Sequence, residues 1–262
     1  MFNIIRHFWR IVSLQTLVII ALSLVATAIC VWQEIYIELP TTLIAIAIVF
    51  PIVFSINAAY RRREDALNNF ASLKSNAIAL FYAHRDWLPK EDRQHSERMK
   101  ALIERLLHNI HISLSVKKDK EVQCQNVFAV CSEISKSMED LRHAGVSGSE
   151  VSRCNQYLKQ IMTDFEKMKN IRLYRTPLSL RAYSSIFLNG FPILFAPYFA
   201  FISDDSNYNY VGYLVAAFYS LVLVSLDNIQ EDLENPFDQI GADDLKLDVF
   251  DLYSPVLKTE NE

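Results

Sequence analysis

Glycine is scarce in this sequence, and several motifs that mark soluble enzymes are missing. Only 5 of the 262 residues are glycine. Neither a Gly-rich phosphate loop nor a Gly-x-Ser-x-Gly nucleophile turn occurs. These absences argue against nucleotide-dependent enzymes and serine hydrolases, and no other pattern argues positively for an enzyme. The four cysteines also lack the spacing of a zinc site.

Charge is absent from four long stretches of the chain. None of them contains Asp, Glu, Lys or Arg, and each is 21 to 23 residues long: 11–33, 39–60, 182–203 and 206–226. About 20 apolar residues cross a hydrocarbon core that is ~30 Å thick. One such run is compatible with a buried helix, whereas four favour a bilayer. We therefore predict an all-α polytopic membrane protein with four transmembrane helices, the last two forming a hairpin.

The distribution of Lys and Arg around these spans predicts the orientation. Basic residues lie before the first span, after the second and before the third: Arg6, Arg10, Arg61, Arg62, Arg63, Arg172, Arg175 and Arg181. The loops after the first and third spans carry no Lys or Arg. We expect both termini and the segments 61–176 and 227–262 to be cytoplasmic. The protein would be multi-pass in the plasma membrane, or in the inner membrane of a bacterial source.

The segment 61–176 shows helical spacing of apolar residues throughout. The second span continues into it as far as Trp87-Leu88-Pro89, where Pro89 is expected in the first turn of a new helix. A turn at 145–148 separates two later helices. The pattern predicts three or four amphipathic helices packed as a bundle. His108 and His111 are three residues apart in this segment, but no third ligand is evident, which favours a structural role over a metal site.

The second span carries a row of large apolar side chains. Ile46, Phe50 and Phe54 are spaced by four and therefore share one helix face. By itself, this row is better explained by packing against a helix or lipid than by the lining of a pore. Asn57 lies in the same apolar run, where a polar side chain requires a partner or water.

An acidic segment follows the fourth span. Between Asp227 and Asp251 there are nine acidic residues and one lysine. The segment fits a solvated tail, and its clustered carboxylates after Asn235-Pro-Phe also fit an oxygen-rich cation site. The formal net charge of −4, without a basic patch, gives no indication of nucleic-acid binding.

Three segments together resemble the bestrophin family. Phe54-Ser-Ile-Asn-Ala-Ala-Tyr60-Arg-Arg-Arg-Glu-Asp-Ala66 is similar to the family's Phe-Arg-x-Asn-x-x-Tyr-x-Arg-x-x-Glu-Ala segment. Arg175-Thr-Pro177-Leu-Ser-Leu-Arg-Ala-Tyr183 is similar to its Asn-Thr-Pro-Ile-Pro-x-x-Tyr segment before the third span. Glu231-Asp-Leu-Glu-Asn-Pro-Phe237 followed by Asp244-Leu-Lys-Leu-Asp248 is similar to its most specific signature. The order of the spans agrees, so the resemblance covers nearly the whole chain.

This resemblance implies a single bestrophin-like domain over 1–262 and a homopentamer around a central pore in the bilayer. It implies that the second helix lines a hydrophobic neck with Ile46, Phe50 and Phe54, which makes lining the better interpretation of that row. A cytoplasmic constriction would lie at Leu173, with Ile171 as the second choice. The implied function is a channel, not an enzyme, that conducts chloride or other small anions.

Departures from the family pattern bear on calcium. Asn235, Asp238, Asp243 and Asp244 are the residues that match the calcium-binding segment of animal members. Asp238 replaces a glycine, and one extra residue precedes Asp244. We therefore expect weak or no calcium activation and no obligatory cofactor, and we keep these four residues as the candidates for binding a cation. Ser55 stands where the family has arginine.

Other functions remain open at this stage. The family also contains cation-selective channels, and a hydrophobic neck does not itself choose the sign of an ion. A membrane-anchored interaction protein without a pore is a second alternative. A membrane enzyme would require a titratable cluster around a pocket, and the sequence shows none.

Overall fold

The computed structural model of the chain is helical in nearly all of its described parts. It describes residues 12–88, 92–116, 120–174, 177–206, 208–239, 241, 244–249 and 255–257, without the side chains of 41–49, 51, 120, 178 and 180. Within these ranges the helices are α1 Leu14–Trp32, α2 Thr41–Asp86, α3 Arg93–Ser115, α4 Lys120–His143, α5 Gly148–Leu173, α6 Leu178–Leu194, α7 Ala196–Asp205 and α8 Val211–Glu234. No strand occurs in them, which confirms the predicted all-α class.

The chain forms two compact units. The first unit contains the described residues of 1–62, 175–234 and 241–243, and the second contains those of 63–174, 235–240 and 244–262. The 46-residue helix α2 contributes residues to both units. The assignment of 1–262 to one domain stays a prediction.

Three parts of the first unit are long and apolar enough to cross a membrane: Leu14–Trp32, Arg181–Asp205 and Val211–Glu234. They correspond to the first, third and fourth predicted spans. Helix α2 runs through the second predicted span, but the side chains of 41–49 lie outside the described residues. The total of four spans therefore stays a prediction.

The third span is not the single helix that the sequence suggested. Its two parts, α6 and α7, meet at Phe195. Pro192 inside α6 and Pro197 in the first turn of α7 have no N–H to donate, which weakens the helix at this point. The Ser23 hydroxyl on α1 donates a hydrogen bond of 2.8 Å to the Pro192 carbonyl. The side chain from another helix thus satisfies the backbone beside the break.

The fourth span begins and ends later than predicted. Helix α8 starts at Val211 rather than at 206 and continues through the acidic end to Glu234. The Ser206 hydroxyl donates to the Tyr208 carbonyl at 2.6 Å, and the Val211 N–H donates to the same carbonyl at 3.1 Å. These local bonds favour a turn over a continued helix.

Helices α7 and α8 approach closely at one glycine. A Cβ added to Gly212 would lie 2.0 Å from the Phe199 carbonyl oxygen and 2.2 Å from Ser203 Oγ. Because the carbonyl belongs to the backbone of α7, it has little freedom to move away. Only glycine fits this contact of the predicted hairpin.

We expect Gly212→Ala to lower the thermal stability of the full chain in detergent. The added methyl group must separate the two helices, and overpacking of this kind costs about 1–3 kcal/mol. Gly190→Ala on α6 is the matched control, because nothing lies within 4 Å of its Cβ position. The control should melt no lower than the parent, since alanine favours helix over glycine. Equal melting temperatures for the two variants would contradict the close contact.

The second unit is built around one apolar core. The part of α2 beyond residue 62 and the helices α3, α4 and α5 contribute the amphipathic faces predicted from the sequence. The later chain adds five buried apolar side chains to the same core: Phe237, Leu245, Leu247, Val249 and Leu257. Lys246 and Asp248 alternate with them and are exposed, as expected for an extended segment over a core. The bundle prediction is confirmed, and the covering segment was not foreseen.

Helix ends in the second unit follow local sequence signals. Helix α2 stops at Asp86, before the predicted Trp87 break. Helix α3 begins at Arg93 with Asp92 as its N-cap, whose carboxylate accepts the His95 N–H at 3.0 Å. The expected place of Pro89 in a first turn lies outside the described residues. Gly145, at a φ of +92°, ends α4, which confirms the predicted turn.

A buried histidine in the second unit stacks against a half-buried one. His84 is fully buried, its Nδ1 donates to the Leu80 carbonyl at 2.9 Å, and its Nε2 contacts the Ser137 hydroxyl at 3.0 Å. The His95 ring stacks on it with a centroid distance of 5.2 Å. The pKa of His84 is lowered from 6.5 to about 4, mainly by burial and also by the neighbouring His95, while the Leu80 carbonyl and Asp140 oppose the shift.

The stability of the second unit should therefore fall in mild acid. The folded-state pKa of about 4 lies below the ordinary 6.5, so the unfolded chain binds more protons between these values. The contribution is fully present above pH 6.5 and is lost as the pH falls toward 4. Between pH 7 and pH 5.5 we expect a loss of about 1 kcal/mol, measured by hydrogen exchange of the α3–α5 amides in the full chain.

Variants separate this effect from general acid sensitivity. His84→Gln should remove most of the difference between the two pH values. His143→Gln, at the exposed end of α4, should retain it. A His84→Gln chain that keeps the parent's pH dependence would show that another group is responsible.

Candidate functional site

Helix α2 has two different faces within the first unit. Ile52, Ser55 and Ala59 are buried, and Ile52 joins an apolar cluster that includes Leu188 of α6 and Phe199 of α7. These residues follow helical spacing, so they form one packed face. The Ser55 hydroxyl is buried there and has no hydrogen-bond partner among the described residues.

The opposite face of α2 is open. Phe50 and Phe54 are each 62% exposed, and Val53 between them is 56% exposed. The two phenylalanine rings contact each other with a centroid distance of 5.7 Å. Two of the three predicted neck residues thus form one exposed aromatic row, which nothing in the described part of the first unit covers. Ile46 lies on the same helix, but its side chain is outside the described residues.

The open face becomes polar toward residue 61. Asn57 and Arg61 are exposed and follow Phe54 by three and seven residues. At about 100° per residue, both fall on the face that Phe50 and Phe54 define. The exposed face therefore changes, within three helical turns, from aromatic side chains to an amide and a guanidinium.

The two candidates for a cytoplasmic constriction differ in their surroundings. Leu173 is 47% exposed at the last position of α5, whereas Ile171 is partly buried against the core of the second unit. Arg172 between them donates to the carbonyls of Ser113 and Val116 at the end of α3. Burial lowers the pKa of Arg172. Arg172 thus links the end of α5 to the end of α3, and Leu173 next to it is exposed.

The acidic segment after α8 is organised by its own hydrogen bonds. The Asn235 amide donates to the Asp238 carboxylate at 2.6 Å, and the Gln239 amide donates to the Leu245 carbonyl at 2.7 Å. Asp244 is half-buried, and Asp243 lies outside the described residues. Across the described part of the chain, no group of three His, Cys, Asp or Glu side chains is placed to hold a metal ion. The four calcium candidates are not brought together as a described site.

Polar contacts between the spans of the first unit were not predicted. Asn189 of α6 donates to Asp227 of α8 at 2.8 Å and accepts from Gln15 of α1 at 3.1 Å. Asn228 donates to the hydroxyls of Ser13 and Thr16 at 3.2 Å. The signal was present in the sequence, because Asn189 is a polar residue inside an uncharged run, and Ser185 one turn earlier accepts only part of its hydrogen-bonding capacity. The partner could be found only once the helices were packed.

An ion pair joins the start of α6 to the end of α8. Arg181 donates to Glu231 at 2.8 Å and lies 3.8 Å from the carboxylate of Glu234. Glu234 is only 2% exposed, and neither of its oxygens accepts a hydrogen bond from a described residue. The Arg181 charge therefore offsets much of the cost of burying this carboxylate.

Comparisons with known proteins give one family and one fold. The sequence profile of the bacterial/fungal bestrophin family matches residues 3–251. A single-residue variant of a bacterial bestrophin homologue from Klebsiella pneumoniae is 21% identical, with a TM-score of 0.79 over 93% of this chain and 96% of that chain. A zinc-phased structure of that homologue has the same identity and coverage and a TM-score of 0.78. A search of curated proteins found no significant match.

Proposed function

Since the chain belongs to the bacterial/fungal bestrophin family, we propose that it is one subunit of a homopentameric ion channel. Chloride or other small anions pass through a hydrophobic neck that Ile46, Phe50 and Phe54 of α2 line. The channel lies in the plasma membrane, or in the inner membrane of a bacterial source, with both termini in the cytoplasm. The family does its work by conduction and not by catalysis.

The observation that carries this proposal is the open aromatic row on α2. Phe50 and Phe54 are exposed while the opposite face of the same helix is buried. In a single copy these rings would face lipid. In a cyclic pentamer the same face of α2 from all five copies surrounds the central axis. A narrow ring of such side chains excludes water and gates by dewetting. The positive edges of the rings ease the passage of a partly dehydrated anion.

A second constriction lies at Leu173. Its exposure and the burial of Ile171 support Leu173 as the residue that faces permeating ions. The bonds from Arg172 to the end of α3 hold the preceding turn in place. Calcium has no obligatory role in this proposal, because Asn235 already donates to the Asp238 carboxylate.

The proposal is tested first by the mass of the purified particle and by its currents. In detergent we expect a particle of five times the 30.2 kDa of one chain. In planar bilayers with asymmetric KCl we expect currents whose reversal potential indicates anion preference. A monomer without currents would favour a membrane-anchored interaction protein, and a cation-selective pentamer would correct the ion alone. The same recordings with micromolar calcium should show at most a weak increase, and a steep dependence would contradict this.

The neck is tested by removing its rings. Phe50→Ala and Phe54→Ala widen the ring and reduce dewetting, so each should raise the conductance or the open fraction several-fold. Phe218→Ala on α8 is the matched control, because Phe218 is 69% exposed, close to the 62% of Phe50 and Phe54, but lies on another helix. Single-channel recordings measure both quantities. If the two α2 variants and the control all behave like the parent, the neck assignment is wrong.

A further inference from the structure

Three consecutive arginines follow the aromatic row of α2, and they differ in their surroundings. Arg61 is exposed, whereas Arg62 and Arg63 are half-buried. Arg63 forms an ion pair of 2.6 Å with the adjacent Glu64. The sequence presents three equal charges at the end of the span, but only the first of them is open to its surroundings.

The position of Arg61 relative to the aromatic row follows from helix geometry. It comes seven residues after Phe54, which corresponds to about two turns and a rise of about 10 Å. Seven residues at about 100° each return within about 20° of the starting direction. Asn57 lies between them on the same exposed face. Arg61 is thus in line with Phe50 and Phe54. Arg63 lies about 200° around the helix from Arg61, which places it on the other side.

We propose that Arg61 determines the sign of the permeating ion. This inference rests on the proposed role of α2 as the pore-lining helix. If five copies of α2 surround the axis, five guanidinium groups form a ring about two turns beyond the last phenylalanine. Charge of one sign at a low-dielectric opening concentrates counter-ions and repels ions of the same sign. The apolar neck supplies the barrier, and Arg61 makes that barrier lower for anions than for cations.

The chemistry of arginine gives this selectivity a recognisable signature. The preference for anions comes from the positive charge of the guanidinium. It should depend on ionic strength, because the Debye length falls from about 10 Å at 0.1 M to about 3 Å at 1 M salt. Asp65, one turn after Arg61 and also exposed, opposes the ring and limits its effect.

Alternatively, Arg61 would bind lipid phosphate at the cytoplasmic surface, because basic residues at the ends of spans often bind anionic lipid. The shared exposed face with Phe50, Phe54 and Asn57 favours the pore. The two roles differ in what the charge controls. In the pore it sets the permeability ratio, whereas on lipid it sets the dependence of activity on anionic lipid.

The test uses the full chain reconstituted in planar bilayers under asymmetric KCl. Arg61→Gln should lower the chloride-to-potassium permeability ratio about tenfold, and Arg61→Glu should make the channel prefer cations. Arg61→Lys should keep the parent's ratio. Arg63→Gln is the matched control: it removes the same charge two residues away, on another side of the helix, and should leave the ratio unchanged. Each ratio is measured with and without anionic lipid.

Several results would overturn the inference. A parent-like ratio in a conducting Arg61→Glu channel does so, as does an Arg61 effect that appears only as altered dependence on anionic lipid. If the Arg61 variants fail to assemble, the parent alone decides: its anion preference must weaken as salt rises from about 0.1 to 1 M, and a constant ratio contradicts the ring. Absence of current in the parent contradicts the channel itself, whereas an unchanged ratio in a conducting channel contradicts only Arg61.

Discussion

Helix α2 must bury one face and leave the opposite face uncovered, and the arrangement of the first unit depends on this constraint. Ile52 packs into the cluster formed by Leu188, Phe199 and their neighbours, while Ser55 and Ala59 keep the packed face narrow. Since small residues allow close approach of helices in apolar surroundings, this face fixes the rotation of α2. The same rotation leaves Phe50 and Phe54 exposed, and the proposals for the neck and for Arg61 follow from it.

Polar side chains in the spans of the first unit pair with one another. A polar side chain in hydrocarbon needs a partner from within the protein. Asn189 finds Asp227, Asn228 finds two hydroxyls of the α1 end, and Arg181 faces the buried Glu234. These pairs join the beginning of α1, the first half of α6 and the end of α8. These pairs hold α1, α6 and α8 together. The same helices contribute to the apolar cluster that contains Ile52, so they support the buried face of α2.

Much of the fold could be predicted because its signals are local. Uncharged runs marked the spans, apolar spacing marked the bundle of the second unit, and Gly145 marked the turn between α4 and α5. The break at Phe195 was missed because the uncharged run was read as one helix, although Pro192 and Pro197 are local signals that weaken a helix. The packing of Leu245, Leu247 and Val249 against the core was missed because these residues were read as part of an acidic tail. The second error arose where packing partners distant in sequence decide the outcome.

The sequence by itself determined that the chain is helical, that it enters a membrane and that it belongs beside the bestrophins, because composition, spacing and short motifs carry those properties. It also placed Phe50 and Phe54 on one face of α2. Tertiary structure alone decided which face of that helix is buried, because burial depends on what packs against it. It therefore showed that Leu173 is exposed while Ile171 is partly buried. It also showed that Arg61 is exposed while Arg62 and Arg63, which carry the same charge, are half-buried.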